Sequence, residues 1–138
     1  MIREFDPVIY PRKLWITYDA TPEELNNFFP GGYNNGTKFK EEDGYYGITY
    51  AVQKGSDNKG GILIRFDGNK EAMEPWNVAH EAVHAAAIIC QYVGIMADWD
   101  NDEAFAYLTG WITECCCKVR KGNDKERSKS TAKVCKSY

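Results

Sequence analysis

The chain has 138 residues and only two histidines, and both stand in one six-residue stretch, Ala79-His80-Glu81-Ala82-Val83-His84. On a helix, residues four apart share a face, so His80 and His84 can turn their ring nitrogens to one metal ion, with Glu81 one position further round. A divalent ion held in this way acidifies a bound water, and a neighbouring carboxylate can take that water's proton. The pattern points to Zn2+ as cofactor, His80 and His84 as its ligands and Glu81 as general base. The bland alternative is a pair of solvent-facing helix histidines beside a surface carboxylate, with no metal at all.

A zinc site needs a third protein donor, and a catalytic one keeps its fourth position open for water. With both histidines already used, the third donor must be a carboxylate. Glu103 is the best placed, nineteen residues beyond His84 and in the first turn of the next expected helix. Asp98, Asp102 and Glu114 stand in reserve. A local role competes, because Asp100 as cap and Glu103 at its third position would make a capping-box-like pair without any ion.

These groups need two helices to hold them. The apolar run from Trp76 to Gly94 predicts the first, opened by Pro75 with Glu74 near its cap and closed at Gly94. The second begins at Asp100 or Asn101 and runs through Ala104, Phe105, Leu108, Trp111, Ile112 and Cys115. Gly110 lies inside it, where a close approach to the first helix would account for it. Upstream, Val8 to Tyr18 reads as extended, with Leu14, Ile16 and Tyr18 alternating against Trp15 and Thr17. Thr21-Pro22-Glu23-Glu24 opens a short helix with a capping box, its stripe is Leu25, Phe28 and Phe29, and Pro30-Gly31-Gly32 ends it. Residues 31–44 read as loop, with a short extended piece at Thr37 to Lys40. Tyr45 to Gln53, with Tyr46, Ile48, Tyr50 and Val52 on one side, and Ile62 to Phe66 form an antiparallel hairpin across a turn at 55–61. Burial is the expectation for both Trp76 and Trp99.

Composition bounds the rest. The length suits one domain with its own core, and 43% hydrophobic residues with 27% charged is ordinary for a globular chain. From Lys118 onward, eight Lys or Arg face two acidic residues, while the preceding part carries nine basic and eighteen acidic groups. The division is therefore an acidic domain at 1–121 and a basic, flexible tail at 122–138, with a nucleic-acid partner disfavoured for the folded part. The start lacks the apolar segment of a signal peptide, and no stretch is long and apolar enough to span a membrane. Five cysteines, three of them consecutive at 115–117, make a poor disulfide framework and fit a reducing, cytoplasmic setting. They read as ordinary small thiols.

Ala79-His80-Glu81-Ala82-Val83-His84 followed by Asn101-Asp102-Glu103-Ala104-Phe105-Ala106-Tyr107 resembles the gluzincin pattern of thermolysin-like metallopeptidases. The small size is similar to minimal gluzincins and to metallopeptidase-like proteins of phages and mobile elements. The resemblance covers about residues 76–115, and its first half is the more specific. It implies a zincin-like α+β fold, a small, mostly antiparallel sheet on two long helices that carry the metal site. It also implies His80, His84 and Glu103 as zinc ligands, Glu81 as the base, and a peptide or protein substrate. The edge strand above the cleft, expected at Ile62 to Phe66, would pair with that peptide. Many gluzincins carry an aspartate four residues after the glutamate ligand, where this chain has Tyr107. Tyr107 can hydrogen-bond but brings no full charge, and it is the first candidate for oxyanion stabiliser, ahead of Tyr92 and Tyr138. The alternative class is a non-catalytic metal-binding or interaction protein of a mobile element.

Overall fold

The computed structural model describes residues 1–55 and 60–135. Four strands, β1 (Ile2–Phe5), β2 (Lys13–Tyr18), β3 (Gly47–Gln53) and β4 (Gly60–Phe66), form one sheet in the order β1-β2-β4-β3. Two of its pairings are antiparallel, β1 with β2 and β3 with β4, and the central pair β2–β4 is parallel. Three helices complete the chain: α1 (Pro22–Phe28), α2 (Pro75–Val93) and α3 (Glu103–Cys135). This is a mixed α+β fold with a small, mostly antiparallel sheet.

Alternation on the strands divides the core into two layers. Leu14 and Ile16 of β2 and Ile62, Ile64 and Phe66 of β4 face α2 and α3, while Trp15 and Leu63 face α1 and the segment after it. Both central strands are therefore buried on both sides, as their near-continuous apolar runs require. On the second face Arg65, itself buried, donates from Nη1 to the Lys40 carbonyl at 3.2 Å and lies over the Tyr45 ring. That contact ties the strap at 40–46 to the sheet just before β3 begins.

The capping box of α1 is complete: Thr21 Oγ1 accepts from the Glu24 N–H and the Glu24 carboxylate accepts from the Thr21 N–H. Leu25 and Phe29 are fully buried, with Phe28 and Trp15 edge-on to Phe29. Helix α2 starts at Pro75 without a side-chain cap from Glu74 and ends on Gly94 in the left-handed region at φ 74°, which glycine adopts without strain. It lies antiparallel to α3, because Arg120 reaches back to the start of α2 and bonds the Met73 carbonyl and the Glu74 carboxylate. Among the described residues, no helix is long and apolar enough to cross a membrane.

Several expectations need correction. Ile62 to Phe66 is no edge: β4 is flanked by β2 and β3, and the edge strands are β1 and β3. The extended reading from Val8 to Tyr18 holds only for β2: Val8 itself stands in a bend at φ 61°, and β1, before it, was not anticipated. Thr37 to Lys40 makes only a single bridge, Tyr33 to Thr37. The chain past Gly122 is helical rather than loop: α3 continues to Cys135, since Lys, Glu and Arg are good helix formers that need no apolar stripe. Gly110 has no close neighbour, as nothing lies within 4 Å of where its Cβ would be. Trp76 and Trp99 are 57% and 98% exposed, contrary to burial. Most of the expected turn at 55–61 falls outside the described residues, as does Tyr138.

A candidate metal-binding and hydrolytic site on the second helix

The site begins with the helical repeat of α2. Val78, Ala82, Ala85, Ala86 and Ile89 pack inward, which leaves His80 and His84 on the outer side, one turn apart and exposed. Their Nε2 atoms are 3.1 Å apart, with the rings edge-on at 74°. Two nitrogens at that separation subtend about 100° at an ion placed ~2.05 Å from each, close to a tetrahedral bite. Such a pair can share a proton, one Nε2–H donating to the other ring's lone pair; to share an ion, both rings carry their proton on Nδ1.

Glu81, about 100° round the helix from His80 and about 60° from His84, reaches under the sheet and is 4% exposed. Its carboxylate accepts from the Thr49 hydroxyl at 2.6 Å. Its side chain rests against Gly47, where an added Cβ would stand 2.8 Å from Glu81 Cγ and 3.1 Å from Asn77 Nδ2. Asn77 is held in turn by its bond to the Ala72 carbonyl at 2.6 Å. Gly47 and Thr49 thus give β3 the room and the donor that a carboxylate needs between helix and sheet. Neither was singled out in the sequence. The available signal was the strand alternation, which puts Gly47, Thr49 and Ala51 opposite Ile48, Tyr50 and Val52 and so makes the helix-facing side of β3 one of small residues.

Among the described residues, the outer rim of β3 has an open part and a covered part. Gln53 N–H bonds the Gly32 carbonyl and the Ala51 carbonyl accepts from the Asn34 N–H, so residues 32–34 cover its far end. Backbone groups alternate sides along a strand, and Gly47 and Thr49 share the outward sense of Ala51 and Gln53. Their N–H and C=O groups point outward beside Glu81. A cavity of about 440 Å³ adjoins this stretch, lined by Asn34, Thr49 and Ala51 on one side and Ile88, Gln91 and Tyr92 on the other. A larger one, about 590 Å³, lies between the start of α2 and Arg120 to Asp124; neither histidine nor Glu81 lines it.

The third expected donor is not gathered to this pair. Glu103 is the first residue of α3 and is exposed, and the deeply buried Ile112 follows it by nine residues, two and a half turns, so the two point to opposite sides of the helix. Tyr107, one turn on from Glu103, shares that outward side and is 76% exposed. Asp98, Asp102 and Glu114 are exposed as well. Among the described residues, no group of three His, Cys, Asp or Glu side chains stands close enough to hold a metal ion. Among the described residues, those present fit a zinc ion at two positions and supply no third donor.

The thiols are not part of the site. Cys90, Cys115 and Cys116 are buried and free, and Cys117 is exposed. Burial pushes the Cys115 thiol up to about 11 and the Cys116 thiol higher still, so neither is a thiolate near neutrality. Compared with known proteins, the chain matches no family model, no curated protein and no solved structure.

Proposed function

We propose that the protein is a zinc-dependent hydrolase acting on peptide bonds, with His80 and His84 holding the ion and Glu81 as general base. One observation carries this reading: the two Nε2 atoms stand 3.1 Å apart on the turn of α2 whose intervening glutamate is clamped beside the open edge of β3. When bound, the ion supplies an acidified water and polarises the scissile carbonyl. A peptide laid along Gly47 and Thr49 would bond their outward backbone groups and pass over the carboxylate. The Thr49 hydroxyl fixes that carboxylate, and Glu81 takes the proton of the attacking water and returns it to the leaving amine.

The second reading, a metal-dependent binding protein without turnover, is favoured by one observation, the lack of a third donor beside the histidines among the described residues. Incubating the zinc-loaded protein with a mixed peptide library separates the two. The hydrolase reading expects cleavage products from the wild type and none from Glu81→Gln. Equal, absent cleavage by both, with zinc retained, would leave the binding protein.

A further inference from the structure

We infer that the protein self-associates head to tail, the basic far end of α3 from one copy docking on an acidic, aromatic patch at the near end of α3 in another. The patch is the connection between α2 and α3. Trp99 is 98% exposed and Met96 82% exposed, beside Asp98, Asp100, Asp102 and Glu103. Its shape is fixed: Asp98 and Asn101 exchange backbone hydrogen bonds at 3.1 and 3.2 Å, Asp98 Oδ1 accepts from the Asp100 N–H, and the Asn101 amide bonds the Met96 carbonyl. Trp99 therefore stands at the tip of a closed turn, held in water by its own backbone. An exposed, pre-ordered tryptophan flanked in sequence by exposed carboxylates is the profile of a protein-docking site.

Charge names the occupant. Between Lys70 and Lys118 the chain has eight carboxylates and not one Lys or Arg. Beyond that point the sign reverses, and Lys118, Lys121, Lys125 and Lys129, spaced by three, four and four, form one exposed stripe on α3. Lys118 pairs with Glu114, which leaves the last three as the docking set. One continuous helix carries both features, and at 1.5 Å per residue Lys121 lies about 27 Å and Lys129 about 39 Å from Glu103. A straight helix cannot fold its own tail onto its head, so any of these lysines that reach the patch come from a second copy. Their ammonium groups fit the carboxylates of Asp98, Asp100 and Asp102, and one can lie over the Trp99 ring. The contact is heterologous, so it closes into a ring or extends into a chain.

The test is sedimentation equilibrium of the full chain at about 100 μM and low salt, repeated at ~0.5 M salt. Expected is concentration-dependent association that weakens about tenfold or more in high salt. Two variants, each checked by circular dichroism for an intact fold, should be monomeric alone: Lys121→Glu/Lys125→Glu/Lys129→Glu, and Trp99→Ala/Asp98→Asn/Asp100→Asn, where the amide oxygen introduced by Asp98→Asn still accepts the turn's hydrogen bond. Mixed in equal amounts they should form a one-to-one complex that grows no further, because each retains one complementary end. A wild type that stays monomeric overturns the inference, as does association untouched by either variant or a mixture that stays apart. So does a lysine stripe that binds double-stranded DNA in place of a second copy.

Discussion

At the scale of single residues, the account turns on how Glu81 is held. Glu81 is 4% exposed and its carboxylate accepts from a hydroxyl at 2.6 Å, so the position of Gly47 and Thr49 sets where the proposed base can be. Gly47→Ala would place a methyl 2.8 Å from Glu81 Cγ. The expected cost is about 1–3 kcal/mol in stability from overpacking, seen as a lower Tm, with peptide cleavage falling further than the loss of fold accounts for. Thr49→Ala removes the donor from a buried carboxylate and should destabilise by about 1–3 kcal/mol in denaturant melts; Thr49→Ser should restore most of it. The thiols give a pH prediction. Burial raises the Cys115 and Cys116 pKa values above the ordinary 9.0, so the fold favours their protonated forms. Below pH ~9 both states hold these protons and nothing changes; above it the unfolded chain sheds them first, so stability should fall as pH rises from about 9 toward 11. At pH 8 a thiol reagent should label Cys117 quickly and the three buried thiols only in denaturant, and immediate labelling of Cys116 would contradict this environment.

At the scale of elements, the helix pair and the edge strand were legible to different degrees. The start and stop of α2 were readable because Pro75 and Gly94 act through their own backbone preferences, and the capping box of α1 because Thr21 and Glu24 satisfy each other locally. That β4 is interior and β3 an edge was not readable. Edge position depends on β2 inserting parallel to β4, a pairing between residues some fifty positions apart that leaves no local trace. The far half of α3 was misjudged for a related reason: lack of an apolar stripe says that a segment has nothing to pack on, not that it leaves the helix. Glu103 was chosen for its distance from His84, its place in the first turn of the next helix and the gluzincin resemblance, and its outward direction relative to Ile112 follows only once the α3 stripe of Leu108, Ile112, Cys115, Cys116 and Val119 is known to face α2 and the sheet. That stripe holds the site helix in place. Ile112→Ala should cost about 2–5 kcal/mol and lower Tm markedly, while Cys117→Ala, at an exposed position on the same helix, should change little. Equal losses would mean that α3 does not support α2 through this seam.

At the scale of the whole molecule, the parts fall on opposite sides of one sheet. One layer, α1 with the strap fixed by Arg65, sets the entry of β3. The other, α2 with α3, presents the histidines outward and the glutamate inward. Both layers contact β3, along which the proposed substrate strand would lie. The acidic patch and the basic arm sit at the ends of α3, clear of the histidine pair, so assembly and hydrolysis can be tested separately. Underneath both lies the claim that His80 and His84 grip an ion. The direct measurement is zinc content after equilibrium dialysis of the purified protein against buffer containing zinc. The account predicts about one zinc per chain in the wild type and in Glu81→Gln, and close to none in His84→Ala. A wild type that emerges without zinc, or a His84→Ala protein that retains it in full, would contradict it.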